Sequence, residues 1–431
     1  MFMKDLFSQF TPLTAKAWKV QLEKDLKGVS LEDLDWQNEN GFVIHPFYTA
    51  EDQQQVYAPA FTHREWRMMV KGEEGSDAFL NEFFLRSLNG GADALMVNLT
   101  ARDFSTLLNN IRLDYIESCF FVGTGELNRL NNYLTEHYPE ALPALRLLPV
   151  DINAAAALKV WQDSASSLLK ERVSAADVFV FHNQNCGAAL EIALVFAILA
   201  EYAEFNEDLS GQCNIRAGIS ADYFVQMAKL RAIRRLWEVF RTEWKLTSEP
   251  FIIAETSLTN KTISDRHNNL LRTSVEAMAA ISGGCNALVV NDYEVLKGDS
   301  DALSQRMALN QQHILKEESY FDKMADSACG SFYMEHLTDA LAEKALQHFK
   351  IIQEQGGYFK CLQSGMIQQR ISEVAQQSNE AFLKNEVIVT GINKYRNEKE
   401  KIALSDVRLN FLKNLQIENP ALRFELQNFF N

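Results

Sequence analysis

The chain has 431 residues, of which 47% are hydrophobic, and this is enough to bury one large core or two medium ones. Its formal net charge of −15 argues against binding to nucleic acid, because phosphate contacts require clustered Lys and Arg. The longest uncharged apolar stretch, residues 192–200, is far shorter than the roughly 20 residues of a membrane span. The six scattered cysteines form no Cys-x-x-Cys pair, and the first 14 residues lack a signal pattern. We therefore expect a soluble cytoplasmic protein without a membrane segment or a metal site.

The first 60 residues predict an arm rather than a domain. They contain one short helical pattern, residues 14–27, and then an irregular, extended stretch through residues 46–52. Too little of this segment is periodic for it to fold alone. We expect the arm, residues 1–60, to pack along the rest of the chain or to wrap a partner chain.

Eight short β-rich segments follow, and most of the gaps between them carry a helical pattern. The segments are residues 64–69, 93–98, 116–122, 145–150, 177–183, 212–218, 250–256 and 285–290. Several are apolar on both faces, as parallel strands buried on both sides are. This alternation of strand and helix patterns predicts an α/β fold, namely a (β/α)8 (TIM) barrel over residues 61–300. A doubly wound open sheet is the alternative.

Residues 301–431 predict a helical C-terminal extension. Its four helical patterns lie at residues 304–323, 338–355, 367–385 and 398–415. Within the barrel, Gly283 and Gly284 follow a helical pattern and predict a helix C-terminus that leads into the last strand. The positively charged side chains of residues 231, 234 and 235 lie on an amphipathic helix and predict salt bridges rather than a phosphate site.

Seven ordered segments of the chain resemble the methylmalonyl-CoA mutase family. They are PFYTAED (46–52), FHNQNCGA (181–188), ADYFVQMAKLRAIRRLW (221–237), LLRTSVEAMAAISGG (270–284), RMALNQQHILKEES (306–319), CGSFYMEHLT (329–338) and VIVTGINKYR (387–396). Their order, and the length of the chain, are most similar to the small subunit of a heterodimeric mutase. The resemblance implies a place in the isomerisation of methylmalonyl-CoA and succinyl-CoA, as in propionate metabolism.

The resemblance also implies where the cofactor belongs. The family's cobalamin-binding signature is Asp-x-His-x-x-Gly. Residues 265–270 of this chain are a near match to it, with Leu270 in place of the glycine. We interpret His267 as part of a helix-entry loop and not as a cobalt ligand. We expect this chain to contain no cobalamin-binding domain and to bind no cofactor, and the partner large subunit to bind adenosylcobalamin.

One residue of the family's catalytic set is retained. Catalytic members carry a Tyr-His pair at the end of the fifth strand, and its His donates a hydrogen bond to the substrate thioester carbonyl. The pair reads Phe181-His182 here, so His182 is a vestigial catalytic candidate, with a hydrogen-bonded structural role as the other interpretation. The first strand's tyrosine is replaced by Trp66 in an ungapped alignment. The His-x-Gln of the seventh strand becomes residues 253–255, and the His-Thr-Asn of the eighth becomes residues 289–291.

The strand sequences predict a filled or narrowed barrel. In the catalytic family CoA threads the barrel axis, which requires small, polar inward side chains, whereas the segments CFFV, LRLLPV, VFVF and FIIA are rich in large apolar ones. The resemblance therefore implies a non-catalytic small subunit that forms a heterodimer with a cobalamin-bearing large subunit, where catalysis takes place. The alternative is a catalytic acyl-CoA mutase barrel that works with a separate cobalamin-binding polypeptide. A stand-alone acyl-CoA-binding module is a more distant third.

Overall fold

The structure, a computed structural model, describes residues 9–11, 13–52, 58–72, 74–139, 144–166, 169–205, 212–297, 301–397 and 416–428. These residues form a two-stranded antiparallel hairpin in the arm and an eight-stranded parallel sheet. The hairpin strands are β1 (Trp36–Gln37) and β2 (Val43–Ile44). The strands of the sheet are β3 (Arg67–Gly72), β4 (Ala94–Asn98), β5 (Glu117–Val122), β6 (Ala144–Pro149), β7 (Ser174–Asp177), β8 (Cys213–Ile219), β9 (Phe251–Thr256) and β10 (Ala287–Val289).

The eight parallel strands form the predicted (β/α)8 barrel. Strands β3 and β10 are the first and last strands of the parallel sheet in chain order. They pair with each other, and this pairing curves the sheet into a barrel. Strands β6 and β7 are neighbours in the barrel but form no backbone ladder, so the sheet order runs β6-β5-β4-β3-β10-β9-β8-β7. Side chains bridge this seam: Asn214 Nδ2 donates to the Leu147 carbonyl at 3.5 Å, and Arg172 donates to the Leu145 carbonyl at 3.4 Å.

Helices follow most of the strands and surround the barrel. They are α1 (Ala15–Asp25), α2 (Asp77–Asn89), α3 (Phe104–Leu107), α4 (Leu127–His137), α5 (Ala155–Ser164), α6 (Phe179–Asn183), α7 (Ala188–Phe205), α8 (Tyr223–Arg241), α9 (Asn268–Ser282), α10 (Ala302–His313), α11 (Phe332–Glu354), α12 (Tyr358–Gln363), α13 (Met366–Leu383) and α14 (Pro420–Asn428). The predicted helix at residues 398–415 lies outside the described residues. As predicted, α9 ends before Gly283, and Gly284 takes a φ of +85°. Across these ranges, none of the helices is both long and apolar enough to cross a lipid bilayer.

Alternation along the strands divides the core into two layers. In β4, Leu95 and Val97 belong to the large apolar cluster between the sheet and the helices. Their neighbours Ala94 and Met96 belong to a separate cluster inside the barrel. Because successive side chains of a strand point to opposite faces, the same division repeats around the barrel.

The fifth barrel strand is shorter than predicted. The sequence predicted a strand at residues 177–183, but β7 ends at Asp177 and residues 179–183 form the short helix α6. The Asp177 side chain accepts a hydrogen bond from the Phe179 N–H at 3.1 Å, which turns the chain out of the sheet. A short apolar run such as VFVF fits a strand and a buried helical turn equally well, so periodicity alone does not separate them.

The arm and the C-terminal helices are attached to the barrel in different ways. Helix α1 of the arm has no buried residue. Helix α11 packs on α8 through buried charges: Arg231 Nη2 lies 2.8 Å from Glu335 Oε1, and Arg235 contacts both Glu335 and Asp339. Arg231 also pairs with Asp326. The predicted salt bridges are therefore present for Arg231 and Arg235, whereas Arg234 Nη2 donates instead to the Gly284 carbonyl at 2.7 Å and to Asn286 Oδ1 at 2.9 Å.

Candidate functional site

The carboxyl ends of the barrel strands carry a cluster of four charged side chains. Lys71 is the last residue but one of β3, Asp177 ends β7, Arg216 lies in β8 and Glu255 in β9. Lys71 Nζ lies 2.8 Å from Glu255 Oε1, and Arg216 donates to Glu255 Oε2 from Nε at 2.9 Å and Nη2 at 2.6 Å. Arg216 Nη1 lies 3.0 Å from Asp177 Oδ2. We call these four residues the mouth cluster.

Two members of the mouth cluster, Arg216 and Glu255, are buried. Glu255 is fully buried and Arg216 is buried, with its guanidinium between the rings of Phe121 and Phe179, at 5.0 and 4.2 Å from their centroids. Burial by itself raises the pKa of the Glu255 carboxyl, but Arg216 and Lys71 hold that pKa below its ordinary value. Since two cations face two carboxylates, the cluster is electrically balanced without a ligand.

Below the mouth cluster the barrel interior is filled with apolar side chains. The inward cluster contains Met69, Ala94, Met96, Cys119, Leu148, Ala175, Ile253, Ala287 and Val289, each of them buried. At the amino end, Arg146 Nε lies 2.7 Å from Glu117 Oε1, and its guanidinium lies 3.8 Å from the centroid of the Phe251 ring. The predicted filling of the bore is confirmed by this continuous stack of side chains.

His182 lies near the mouth cluster, on α6, the short helix that follows β7, and three other elements, α7, α8 and β8, build its environment. Its Nδ1 lies 2.8 Å from Oε2 of Glu191, in the first turn of α7. Lys229 Nζ, from α8, lies 2.7 Å from the same oxygen. The backbone N–H of Gly218 donates to Glu191 Oε1 at 2.9 Å. A Cβ added at Gly218 would lie 2.1 Å from the His182 ring, so the imidazole occupies the space above that glycine.

These contacts determine the protonation of His182. Burial lowers the pKa of the imidazole, and the attraction of Glu191 does not reverse this. Burial raises the pKa of Glu191, but Lys229 and His182 bring it down to about 2, so the group is a carboxylate. A neutral imidazole beside a carboxylate acceptor carries its proton on Nδ1. Its Nε2, which has no hydrogen-bond partner among the described residues, is then an acceptor.

Trp66, interpreted from the sequence as the replacement for an active-face tyrosine, does not lie on that face. Strand β3 begins at Arg67, three residues later than predicted, so Trp66 precedes the strand at its amino end. Its indole packs between sheet and helices and donates to Gln312 Oε1 at 3.1 Å. By contrast, Asn291 does lie at the carboxyl end and donates to the Thr256 carbonyl at 2.6 Å.

The near match to a cobalamin signature does not fit that cofactor. His267 lies directly before α9, with its ring 5.4 Å from the Tyr293 ring centroid. Asp265 accepts a hydrogen bond from the Asn268 side chain, and Arg266 pairs with Glu294 at 3.0 Å. The segment is a helix-entry loop in which Asp265 and Arg266 are paired within the chain and His267 is exposed. Over the described ranges, no group of three or more His, Cys, Asp or Glu side chains is placed to hold a metal ion.

Residues 416–428 lie against the loops at the carboxyl end of the barrel. The Glu418 N–H donates to the Asn183 carbonyl at 2.8 Å, and Asn419 Nδ2 donates to the carbonyls of Leu258 and Lys261. Glu425 accepts hydrogen bonds from the backbone after β9. Glu418 and Asn419, which directly precede α14, therefore link α6, the helix of His182, to the loop that follows β9.

Sequence reasoning found His182 but missed its partners. Glu191 begins an otherwise apolar helix whose next nine residues are uncharged. A lone carboxylate in such a helix must be paired when it is buried, and this signal could have pointed to a cation such as Lys229. Lys71 and Arg216 carried no comparable signal, because single charges in strands are common at sheet ends.

Comparisons with known proteins show which family this chain resembles. The family model described as methylmalonyl-CoA mutase matches residues 175–421, more than half of the chain. The methylmalonyl-CoA mutase small subunit of Porphyromonas gingivalis is 29% identical, over 91% of this chain and 71% of the relative. The methylmalonyl-CoA mutase of Rhizobium meliloti is 25% identical over 96% and 67%, and the mitochondrial enzyme of Mus musculus 25% over 92% and 63%. The chain thus spans about two thirds of the length of these relatives.

Proposed function

Because this chain belongs to the methylmalonyl-CoA mutase family, we propose that it is the non-catalytic small subunit of a heterodimeric methylmalonyl-CoA mutase. In this proposal the large subunit binds adenosylcobalamin and substrate, and the small subunit stabilises it. The name of the Porphyromonas gingivalis relative supports the subunit assignment. The observation that carries the proposal is the filled barrel, in which side chains occupy the axis that substrate takes in catalytic members.

The state of His182 supports the absence of catalysis. A catalytic His of this family donates a hydrogen bond to the thioester carbonyl. In this chain the proton of the neutral imidazole is directed to Glu191, and the ring nitrogen that remains is an acceptor. Donation from Nε2 would require a second proton, which burial of the ring disfavours. His182 is therefore better suited to tie α6 to α7 than to polarise a thioester.

The arm supports the presence of a partner. Several of its large apolar side chains are exposed: Leu13, Trp18, Val20, Val29, Leu34, Trp36 and Val43. Trp36 is 51% exposed although it lies in a strand of the hairpin. A set of exposed apolar groups along one segment marks a protein-interaction surface. We assign this surface to the large subunit.

Calorimetric titration of methylmalonyl-CoA into the purified chain, without partner or cobalamin, tests the loss of catalysis. We expect no binding heat from a chain whose fold is verified by circular dichroism. Micromolar binding that His182→Ala abolishes would contradict the proposal and favour a catalytic barrel that works with a separate cobalamin-binding polypeptide. Binding that is unchanged in His182→Ala would contradict it too, and would favour an acyl-CoA-binding module.

Co-expression with the large subunit tests the partnership. We expect the two chains to elute together in size-exclusion chromatography. We also expect the mutase activity of the complex to depend on catalytic residues of the large subunit and on none of the small subunit. A His182→Ala small subunit should leave the kcat of the complex unchanged, because its barrel binds no substrate. A specific loss of kcat in a complex of normal stability would overturn the non-catalytic assignment.

A further inference from the structure

The second half of the arm carries charge of one sign. Residues 28–60 contain six acidic side chains and no Lys or Arg, although the chain has 42 Lys and Arg in all. The lysines of the arm all lie at or before position 27. This half of the arm is therefore an acidic stretch in which no cation of the same segment neutralises the carboxylates.

The hairpin segment of the arm, residues 29–44, has an inner and an outer side. Asn38 and Ile44 are buried, and Ile44 belongs to the large apolar cluster of the barrel. On the outer side, the side chains of Leu34, Trp36 and Val43 are exposed. One side of the segment thus rests on this chain, and the other side presents large apolar groups to solvent.

Two carboxylates adjoin these exposed apolar groups. Glu32 and Asp33 lie in a single turn of 3-10 helix, Leu31–Leu34, and both are exposed. Asp33 Oδ2 accepts a hydrogen bond from the Ser30 N–H at 3.1 Å, which fixes the turn. Over the described ranges, neither carboxylate forms an ion pair with a Lys or Arg side chain. Their charge is therefore available to a partner.

This combination selects the kind of surface that can cover the segment. Protein interfaces typically bury aromatic anchors at their centre and place charged groups at a polar rim. Lys or Arg side chains around an apolar recess complement an exposed Trp flanked by carboxylates, whereas acidic groups there would add repulsion. A second copy of this chain is a less suitable occupant, because the net charge of −15 opposes the approach of two copies.

We propose that the outer side of the hairpin segment docks on a basic surface of the large subunit, with Trp36 in an apolar recess and with Glu32 and Asp33 against Lys or Arg side chains. This inference rests on the proposed function, because it states the chemistry of a surface on the partner proposed there. The carboxylates accelerate the encounter of the two chains, and Trp36 retains the partner. Rim charges act mainly on the association rate, and buried anchors act mainly on the dissociation rate.

Association kinetics with the large subunit test the inference. The on-rate and the off-rate are measured by surface plasmon resonance from about 50 to about 500 mM NaCl, a range over which charge screening increases strongly. For the unmodified chain we expect the on-rate to fall by about tenfold or more across this range. A salt-independent on-rate would overturn the inference and leave the heterodimer in place. The absence of association at every salt concentration would overturn the proposed function, and the inference with it.

Glu32→Gln combined with Asp33→Asn removes both charges and keeps the shapes of the side chains. The amide oxygen at position 33 can still accept from the Ser30 N–H. We expect the on-rate at low salt to fall about fivefold and to depend less on salt, with the off-rate changed by less than about twofold. The matched control is Glu317→Gln combined with Glu318→Gln, an adjacent exposed pair outside the arm. An equal loss in this control would show a response to net charge alone and would overturn the inference.

Three single substitutions keep the test decisive once circular dichroism shows that each variant is folded. Glu32→Lys should slow association at low salt at least as much as the double neutralisation, and Glu317→Lys, which makes the same change elsewhere, should not. Faster association of Glu32→Lys would mean an acidic partner surface and would overturn the inference. Trp36→Ala should raise the off-rate by about tenfold and leave the salt dependence of the on-rate unchanged. If Trp36→Ala alters neither rate, the segment lies outside the interface and the inference is wrong.

Discussion

The carboxyl end of the barrel and the N-terminal arm differ in which side chains they bury. At the barrel end, charged groups such as Lys229 and Glu255 are fully buried and each has a partner within the chain. In the arm, Trp36 and the other large apolar groups named above are exposed, and α1 buries no residue at all. These charged groups of the barrel are therefore paired within the chain, whereas the arm presents apolar surface that another chain can cover.

A hydrogen bond links the arm to a helix that supports His182. The side-chain oxygen of Asn40, in the turn of the arm's hairpin, accepts a hydrogen bond from the Ala189 N–H at 3.0 Å. Ala189 lies in the first turn of α7, two residues before Glu191. The arm thus caps the helix whose carboxylate orients His182, and a disturbance of the arm has a defined route to the barrel.

The largest effect is expected from Lys229→Met. The substitution leaves the Glu191 carboxylate buried beside a neutral imidazole and without its cation. Removing one partner of a buried ion pair costs about 3–5 kcal/mol, so we expect that loss in the free energy of unfolding measured with urea. Lys159→Met, on the exposed face of α5, should change it by less than about 0.5 kcal/mol. Similar values for the two variants would contradict a self-sufficient barrel end.

Gly218→Ala tests how tightly the His182 ring is held in its position over Gly218. The new methyl group would lie 2.1 Å from ring atoms of His182, so the ring has to leave its bond with Glu191 or the strand has to shift. Overpacking of this kind costs about 1–3 kcal/mol, measured as a loss of unfolding free energy. Gly125→Ala is the control, because nothing lies within 4 Å of its added Cβ. An undisturbed Gly218→Ala would show that the ring is loosely held.

The free energy of unfolding should depend on pH in a way that reflects the buried imidazole of His182. The folded-state pKa of His182 lies below the ordinary value of 6.5, so between the two values the unfolded chain binds a proton that the folded chain does not. The unfolding free energy must therefore fall as the pH is lowered from about 7 to about 5, by at most about 1.4 kcal/mol per unit for one group. His182→Gln should flatten the curve in this window. His63, His336 and His348, whose pKa values are also lowered, contribute slope of the same sign, and buried carboxyls with raised pKa values, such as Glu276, contribute the opposite sign. An unchanged slope in His182→Gln would mean that the ring is protonated in the folded chain.

Asn40→Ala should weaken the attachment of the arm to the start of α7, because it removes the hydrogen bond between Asn40 and Ala189. The variant loses the acceptor at the start of α7, and the loss of a helix cap costs about 1 kcal/mol in unfolding free energy. Hydrogen exchange should accelerate in residues 36–44 and in the first turn of α7, with the rest of the barrel unchanged. Exchange that accelerates throughout the barrel would argue against a local joint.

The smallest effect on the isolated chain is expected from Trp36→Ala. Since the side chain is 51% exposed, its removal should change the free energy of unfolding by less than about 0.5 kcal/mol. In the proposed heterodimer the same change should weaken association by tenfold or more, as measured by analytical ultracentrifugation with the large subunit, because interface aromatics carry much of the binding energy. Equal association by both forms would place the interface elsewhere on the chain.

Local patterns determined most of the fold. Long amphipathic helices such as α8 and α9, and strands apolar on both faces, are predicted by neighbouring residues alone, and the structure has them close to the expected positions. The two failures, the strand at residues 177–183 and the placement of Trp66, are matters of where a strand begins or ends. Such boundaries depend on contacts with neighbouring strands, which short apolar runs do not specify.

By itself, then, the sequence determined the class of fold, the family resemblance, the apolar bore and the retention of His182. Only the tertiary structure decided what His182 can do and how the barrel mouth is closed. Lys71 and Glu255 are 184 positions apart, and Lys229 and Glu191 are 38 apart. Electrostatic pairing depends on distance and burial in three dimensions, and both arise only when the barrel brings distant strands and helices together.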